Sequence, residues 1–170
     1  MILNVTQKEM REMSLKWISD EGGIVELGCS NGDFAELLFK NNMKNYCGID
    51  IQKDKIQEAK IRLPQMGFFC CDIINNLFLL EEAQTFISFQ CLEHIVNDLD
   101  VLKALIPKTN VILSVPNSPY KGHIRWHELE GWEERFSPYI DFDYSYIIQN
   151  PIKPNKRSFL FKGVRNDNDN

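Results

Sequence analysis

In the stretch "IVELGCSNGDFAELL", Ile24 to Leu38, a short apolar run passes through Gly28 and Gly32 into a helical pattern. Asp50 closes the next apolar run, "YCGID", and Asp72 follows a third, "GFFCC". Glycine after a first strand permits a tight turn and lets backbone approach a ligand closely. An acid ending the second strand, about twenty residues on, is placed to accept hydrogen bonds from ribose hydroxyls. Asp50 therefore points to a nucleoside. The glycines alone leave dinucleotide, phosphate and nucleoside ligands open. A dinucleotide fold wants further glycines where this chain has Ser30 and Asp33. An acid at that helix N-terminus would also repel a pyrophosphate. No Gly-Lys-Ser/Thr follows the turn, which removes the P-loop.

A second group of residues could move protons. "FISFQCLEHI" ends an apolar run on Glu93 and His94. An acid there can simply favour a helix N-terminus, whereas a histidine at a strand's carboxyl end is well placed as a base near neutral pH. His123 and His127, in "GHIRWHELEGW", are expected over the same rim, so all three histidines would fall near one site. Trp126 and Trp132 read equally as walls of an acceptor pocket or as core. Cys29 fits the turn as a small residue and is not read as a nucleophile. Cys70, Cys71 and Cys91 read as core or near-core filling.

The elements that must position these residues recur as a β-rich run followed by a helical pattern, the signature of a parallel sheet with crossover helices. Residues 6 to 19 form an opening amphipathic helix, with Thr6 as N-cap and Glu9 completing a capping box. Strands follow at 24–27, 46–50, 67–71, 85–90 and 110–115, with helices at 32–41, 53–62 and 97–106. Ser30 or Asn31 offers a polar cap to the second helix. "ELEGWEERF" forms another short helix. Residues 140–148 and 158–164, separated by the turn-forming "NPIKPN", pair as a terminal hairpin. The expected fold is α/β, a Rossmann-like, doubly wound, mostly parallel seven-stranded sheet with an antiparallel C-terminal hairpin. Residues 1–165 make one domain, with 1–20 and 116–140 on the acceptor side, and the polar tail 166–170 is expected to be disordered.

Composition narrows the partners. With 44% hydrophobic residues the chain can build one core. A net charge of −5 argues against holding a nucleic-acid backbone. The one basic cluster, Lys153, Lys156, Arg157, Lys162 and Arg165, reads as a solvated strand edge. Five cysteines, an odd number without C-x-x-C spacing, suit reduced thiols rather than disulfides or zinc. The N-terminus lacks the layout of a signal peptide, and no apolar run approaches the ~18 residues of a membrane span. A soluble, cytoplasmic protein without a membrane partner is expected.

These residues resemble the class I S-adenosylmethionine-dependent methyltransferases, in particular the small ubiquinone-pathway-like, type 11 and type 23 groups. "ELGCSNG" is similar to the family's first motif, E/D-x-G-x-G-x-G, with Glu26, Gly28 and Gly32 matching and Ser30 at the middle glycine. The resemblance implies that the loop, with Cys29 and Ser30, holds the methionine portion of the cofactor and that Glu26 supports it. It assigns the ribose to Asp50 with Ile51 on the adenine, and the adenine amino group to Asp72 with Ile73 beside it. "FISFQCLEHI" resembles the fourth-strand motif ending in E-x-x-E-H, with Gln90 replacing the first glutamate. "VILSVPN" and "GHIRWHELEGW" resemble the fifth-strand motif and the H-x-R-x-aromatic segment after it.

The resemblance implies an enzyme that methylates a hydroxyl of a small molecule or sugar, S-adenosyl-L-homocysteine being the product. His94 or His123 would accept the proton, with Glu93 orienting the imidazole. In some relatives an E-x-x-E-H motif and a later histidine bind a divalent metal; Glu93, His94 and His123 or His127 could do so here, with Gln90 contributing at most a carbonyl oxygen. An RNA 2′-O-methyltransferase and a non-catalytic cofactor-binding subunit are the alternatives. A homodimer is also compatible with the sequence.

Overall fold

Apolar runs of four to seven residues, too short for helices, make the centre of the molecule a sheet. The computed structural model describes residues 2–3, 6–18, 22–150, 152–153 and 155–168. Its strands are β1 (Ile2–Leu3), β2 (Ile24–Leu27), β3 (Tyr46–Asp50), β4 (Gly67–Cys70), β5 (Thr85–Phe89), β6 (Asn110–Pro116), β7 (Ile140–Gln149) and β8 (Arg157–Arg165). Across the sheet they lie in the order β1-β7-β8-β6-β5-β2-β3-β4. All neighbouring pairs are parallel except the two that β8 makes, with β6 and with β7. The seven expected strands and the terminal hairpin are present; β1 is an added two-residue strand beside β7.

Every residue of β2 and β5 is buried, because crossover helices cover both faces of a parallel sheet. Alternating side chains divide between two cores. On one face Ile24 packs with Met10 of α1 (Gln7–Leu15), Phe34 and Leu38 of α2 (Asp33–Lys40), and Ile56 of α3 (Lys53–Arg62). On the other, Val25 and Leu27 pack with Val101 of α4 (Asp98–Lys103) and with Trp132 and Phe136 of α5 (Leu129–Phe136). Burying each such side chain contributes about 1.5–3 kcal/mol.

Caps set where the helices begin. Thr6 accepts from the Glu9 N–H and Glu9 closes the box, as expected. α2 has no side-chain cap: Gly32, at φ +83°, occupies that position, and the Asn31 amide instead donates to Glu58. Asp33 and Glu36 in the first turn favour the dipole there.

Two expectations about the C-terminal region are corrected. β8 lies inside the sheet, so the basic cluster is not a strand edge. Arg165 is 2% exposed, with Nε donating to the Leu102 carbonyl, and Lys162 pairs with Asp143. The tail is ordered through residues 166–168: Asn166 is buried, its Oδ1 accepting from Arg165 and from the Asn168 N–H. Residues 169–170 lie outside the described residues.

Candidate functional site

Because β2 to β6 are parallel, their carboxyl ends reach one rim. The crevice there opens where the strand order reverses, between β2 and β5. A cavity of about 650 Å³ occupies this position, lined by Gly28, Ser30, Asp50, Asp72 and Gln90 from the ends of four strands. That volume suits a nucleoside-sized ligand.

The turn after β2 is held from behind. Gly28 N–H donates to the Ile49 carbonyl at 2.8 Å, and Ser30 N–H donates to Asp50 Oδ2 at 2.9 Å. Asp50 Oδ1 accepts from the Gln52 N–H at 2.8 Å, so backbone on both sides fixes this carboxylate. Gly28 has φ +78°, and a Cβ there would stand 2.7 Å from Cys91 Sγ. Glycine is thus required for both conformation and space. Ser30 and Gln90 adopt left-handed φ of 49° and 52°. Non-glycine residues hold this conformation at a cost of about 1–2 kcal/mol, and such strain gathers at functional sites.

Asp72 caps the 3-10 turn Ile73–Asn75, accepting from the Ile74 N–H at 3.0 Å. Ile51, 68% exposed, and buried Ile73 give the cavity an apolar wall suited to an aromatic base. Glu26 is not among the lining residues: it lies behind the turn, where Tyr46 Oη donates to its Oε2 at 2.5 Å. Burial pushes its carboxyl up to about 7, opposed by the Tyr46 hydrogen bond and the charge of Arg11. Cys29 is buried and its thiol is pushed up by burial, consistent with a space-filling role.

Arg11 of α1 also lines this cavity, a residue that the sequence does not single out. Its Nη1 stands 3.7 Å from Asp33, and its buried Nε has no hydrogen-bond partner. A buried guanidinium donor left unpaired beside a glycine turn suits a ligand carboxylate.

His94 lines the same cavity, and Glu93 and His123, outside its lining, gather against it. Their ligating atoms lie within 4.8 Å of one another, and the two rings meet edge to face at 4.8 Å between centroids. Glu93 and His94 sit in a separate 3-10 turn, Leu92–His94, rather than at the start of α4. That turn is pinned by Arg125, which donates to the carbonyls of Leu92 and Val96. Arg125 and Arg135 in turn hold the fully buried Asp98, at 3.1 and 2.6 Å. His94 Nδ1 contacts the Gly122 carbonyl and His123 Nδ1 the Ser118 carbonyl, at 2.9 and 3.1 Å. With Nδ1 protonated, each neutral ring keeps its basic lone pair on Nε2.

Both oxygens of Glu93 are buried without a hydrogen-bond partner. His123 Nε2 is 3.8 Å away, beyond hydrogen bonding. Burial pushes Glu93 up to about 7 and His123 below its usual range, so both lean toward neutral forms. An orphaned carboxylate with two imidazoles oriented by backbone carbonyls is a donor set that fits a divalent cation.

Two expected placements, those of His127 and Cys70, are corrected, and the open reading of the tryptophans is decided. His127 is apart from the cluster, its ring against Trp132 at 4.8 Å. Trp132 is core, with its indole N–H donating to the Pro116 carbonyl, and neither Trp126 nor Trp132 lines the cavity. Cys71 and Cys91 pack against the core, as expected, while also lining the cavity, whereas Cys70 is exposed. No helix among the described residues is long and apolar enough to cross a membrane.

Comparison with known proteins identifies this architecture. A family model described as a methyltransferase domain matches residues 6–143. The trans-aconitate 2-methyltransferase of Sinorhizobium medicae (strain WSM419) is 31% identical over 102 residues, covering 58% of this chain and 40% of that protein. The enzyme of the same name from Rhodopseudomonas palustris (strain BisA53) is 28% identical over 129 residues, covering 71% and 50%. The chain thus spans half or less of the length of these relatives. Among solved structures, the N-methyltransferase NodS from Bradyrhizobium japonicum WM9, in complex with S-adenosyl-L-homocysteine, superposes with a TM-score of 0.72 at 16% identity, covering 95% and 88%. The 4+2 cyclase SpnF superposes with a TM-score of 0.76 at 10% identity, covering 93% and 81%. These structural likenesses concern the fold.

Proposed function

The chain belongs to the methyltransferase-domain family, and from this premise we propose that it binds S-adenosyl-L-methionine over β2–β5 and methylates a hydroxyl of a small molecule. The observation that carries the reading is one cavity in which a backbone-anchored Asp50 stands beside a glycine turn at one end and His94 at the other, its ring edge to face with that of His123 just outside the lining. In that cavity Asp72, Ile51 and Ile73 would receive the adenine, and Asp50 the ribose hydroxyls. The Gly28–Gly32 turn, with Cys29 and Ser30, would follow the methionine portion, its carboxylate toward Arg11. Glu26 would support the turn from behind.

When bound, the cofactor supplies a methyl group already activated on a sulfonium. The protein then needs to align the acceptor and take its proton. His123, biased toward neutrality by burial, would accept that proton at Nε2, with His94 as the second candidate. In its ionised form Glu93, 3.8 Å away, would stabilise the imidazolium formed. Gln90, in the wall between cofactor and acceptor, would orient one of them through its side-chain amide. Replacing His94 and His123 separately by Ala, and following S-adenosyl-L-homocysteine release with an active acceptor, tests these roles. Full activity in both variants would sink the base assignment.

A second use of the same residues is favoured by the two orphaned Glu93 oxygens: a divalent cation on Glu93, His94 and His123, with Gln90 in place of a second carboxylate. Activity surviving exhaustive chelation would refute it. The relatives named for trans-aconitate put a carboxylate acceptor beside the hydroxyl, and a carboxylate needs no base. An RNA acceptor is disfavoured by the net charge of −5. Because one fold carries several chemistries, a cofactor-binding subunit without turnover is the rival, supported if binding is tight and no acceptor reacts.

A further inference from the structure

Beyond the cofactor cavity the rim holds a second cavity of about 510 Å³, enclosed by the ends of β6, β7 and β8 at Pro116, Ile148 and Ser158. Strand direction explains this: β8 runs against its neighbours, so its first residues meet the last residues of β6 and β7 on one rim. Its charged lining residues are Lys156 and Arg157, with His123 and Tyr120 as the other titratable groups, and no Asp or Glu is among the described lining residues. In a chain with 24 acids against 19 basic residues, a cavity bearing cations alone runs against the overall balance. A cleft lined by charge of one sign focuses its field and concentrates counter-ions. Arg157 is paired with Glu128 at 2.9 Å, outside the lining. Lys156 makes no salt bridge among the described residues, and its charge is felt at His123.

The two cavities adjoin at three residues. Gln90 lines both, His94 lines the first and His123 the second. A molecule reaching from Lys156 to His123 therefore arrives beside the cofactor cavity.

We propose that this second cavity seats the acceptor, and that the acceptor carries an anionic head, a carboxylate or phosphate, held by Lys156 and Arg157 while its methyl-accepting atom lies at Gln90 and His123. The proposal rests on the methyltransferase reading of the adjoining cavity. It adds a substrate class and separates recognition, at the β7–β8 end, from proton transfer at the histidines. Arg157 is shared with Glu128, so Lys156 supplies the uncompensated charge.

The test is calorimetry on protein saturated with S-adenosyl-L-homocysteine, whose own binding is measured first. Tricarballylate and benzyl phosphate are titrated beside their neutral counterparts, the triamide and benzyl alcohol; the two anions distinguish carboxylate from phosphate. At least one anion is expected to bind at least tenfold more tightly than its neutral counterpart. Lys156→Glu should erase that preference, and Lys156→Gln should reduce it. In both variants S-adenosyl-L-homocysteine should bind within twofold of the parent, showing that the fold and first cavity are intact. Anions binding no better than neutral counterparts, including no binding by either, would overturn the proposal. So would a preference unchanged in Lys156→Glu. Failure of S-adenosyl-L-homocysteine to bind the parent protein would instead remove the methyltransferase reading, and the acceptor role with it.

Discussion

Replacing Glu26 by Gln should remove a pH dependence of stability that burial builds into the fold. Glu26 is 2% exposed, and burial raises its carboxyl from 4.5 to about 7. The unfolded chain releases this proton near the lower value and the folded chain near the higher one. Between them the folded state binds more protons, so stability is fully present at low pH and falls as pH rises through the window. At about 1.4 kcal/mol per pH unit, the loss is about 3 kcal/mol, complete above roughly pH 7. Gln has no proton to release and keeps an acceptor for the Tyr46 hydroxyl. The stability of Glu26→Gln relative to the parent should therefore rise by about 2.5 kcal/mol from roughly pH 5 to 8. Glu93, raised by the same cause, cancels in that difference. Urea midpoints of both proteins without ligand, taken at unit steps of pH, give the measurement. A difference that stays flat, or falls with pH, would refute the burial argument.

Other substitutions separate scaffold from site. Asp98→Ala leaves Arg125 and Arg135 without their shared carboxylate and should cost about 3–5 kcal/mol in a denaturant titration; a loss below about 1 kcal/mol would mean the arginines find other partners. Gly28→Ala meets Cys91 and a φ of +78°, and should destabilise by about 1–3 kcal/mol. Adding Cys91→Ala should restore only the part due to the clash, and full restoration would show that the backbone is unstrained. Arg11→Gln should weaken S-adenosyl-L-homocysteine about tenfold while leaving 5′-methylthioadenosine, which lacks the carboxylate, unchanged. Equal weakening of both ligands would remove Arg11 from the carboxylate.

The parallel strands were readable because burial on both faces turns each into an unbroken apolar run, as in "TFISF" of β5. The placement of Asp50 and Asp72 followed, since a residue just past a parallel strand has only one rim to occupy. What stayed hidden depends on contacts between segments far apart in sequence. β1 pairs with β7 across most of the chain, and two residues carry no periodic pattern. Arg11 reads as one more polar position on an amphipathic helix until α1 is seen over the glycine turn. Arg165 looks like surface charge until β8 is known to be internal. His127 and His123 are four residues apart, yet one rests against Trp132 and the other reaches His94. Only the path of the segment after β6 decides which. The charge of the second cavity was likewise obscured, because Lys156 and Arg157 appeared among five basic residues that the fold then separates.

The most direct measurement is calorimetric titration of the protein with S-adenosyl-L-homocysteine, repeated with Asp50→Ala. One molecule should bind per chain, and the substitution should weaken binding by about tenfold or more, corresponding to roughly 1.4 kcal/mol lost when the ribose partner is removed. No heat at millimolar ligand, or the same affinity in both proteins, would contradict the assignment of this cavity to the cofactor.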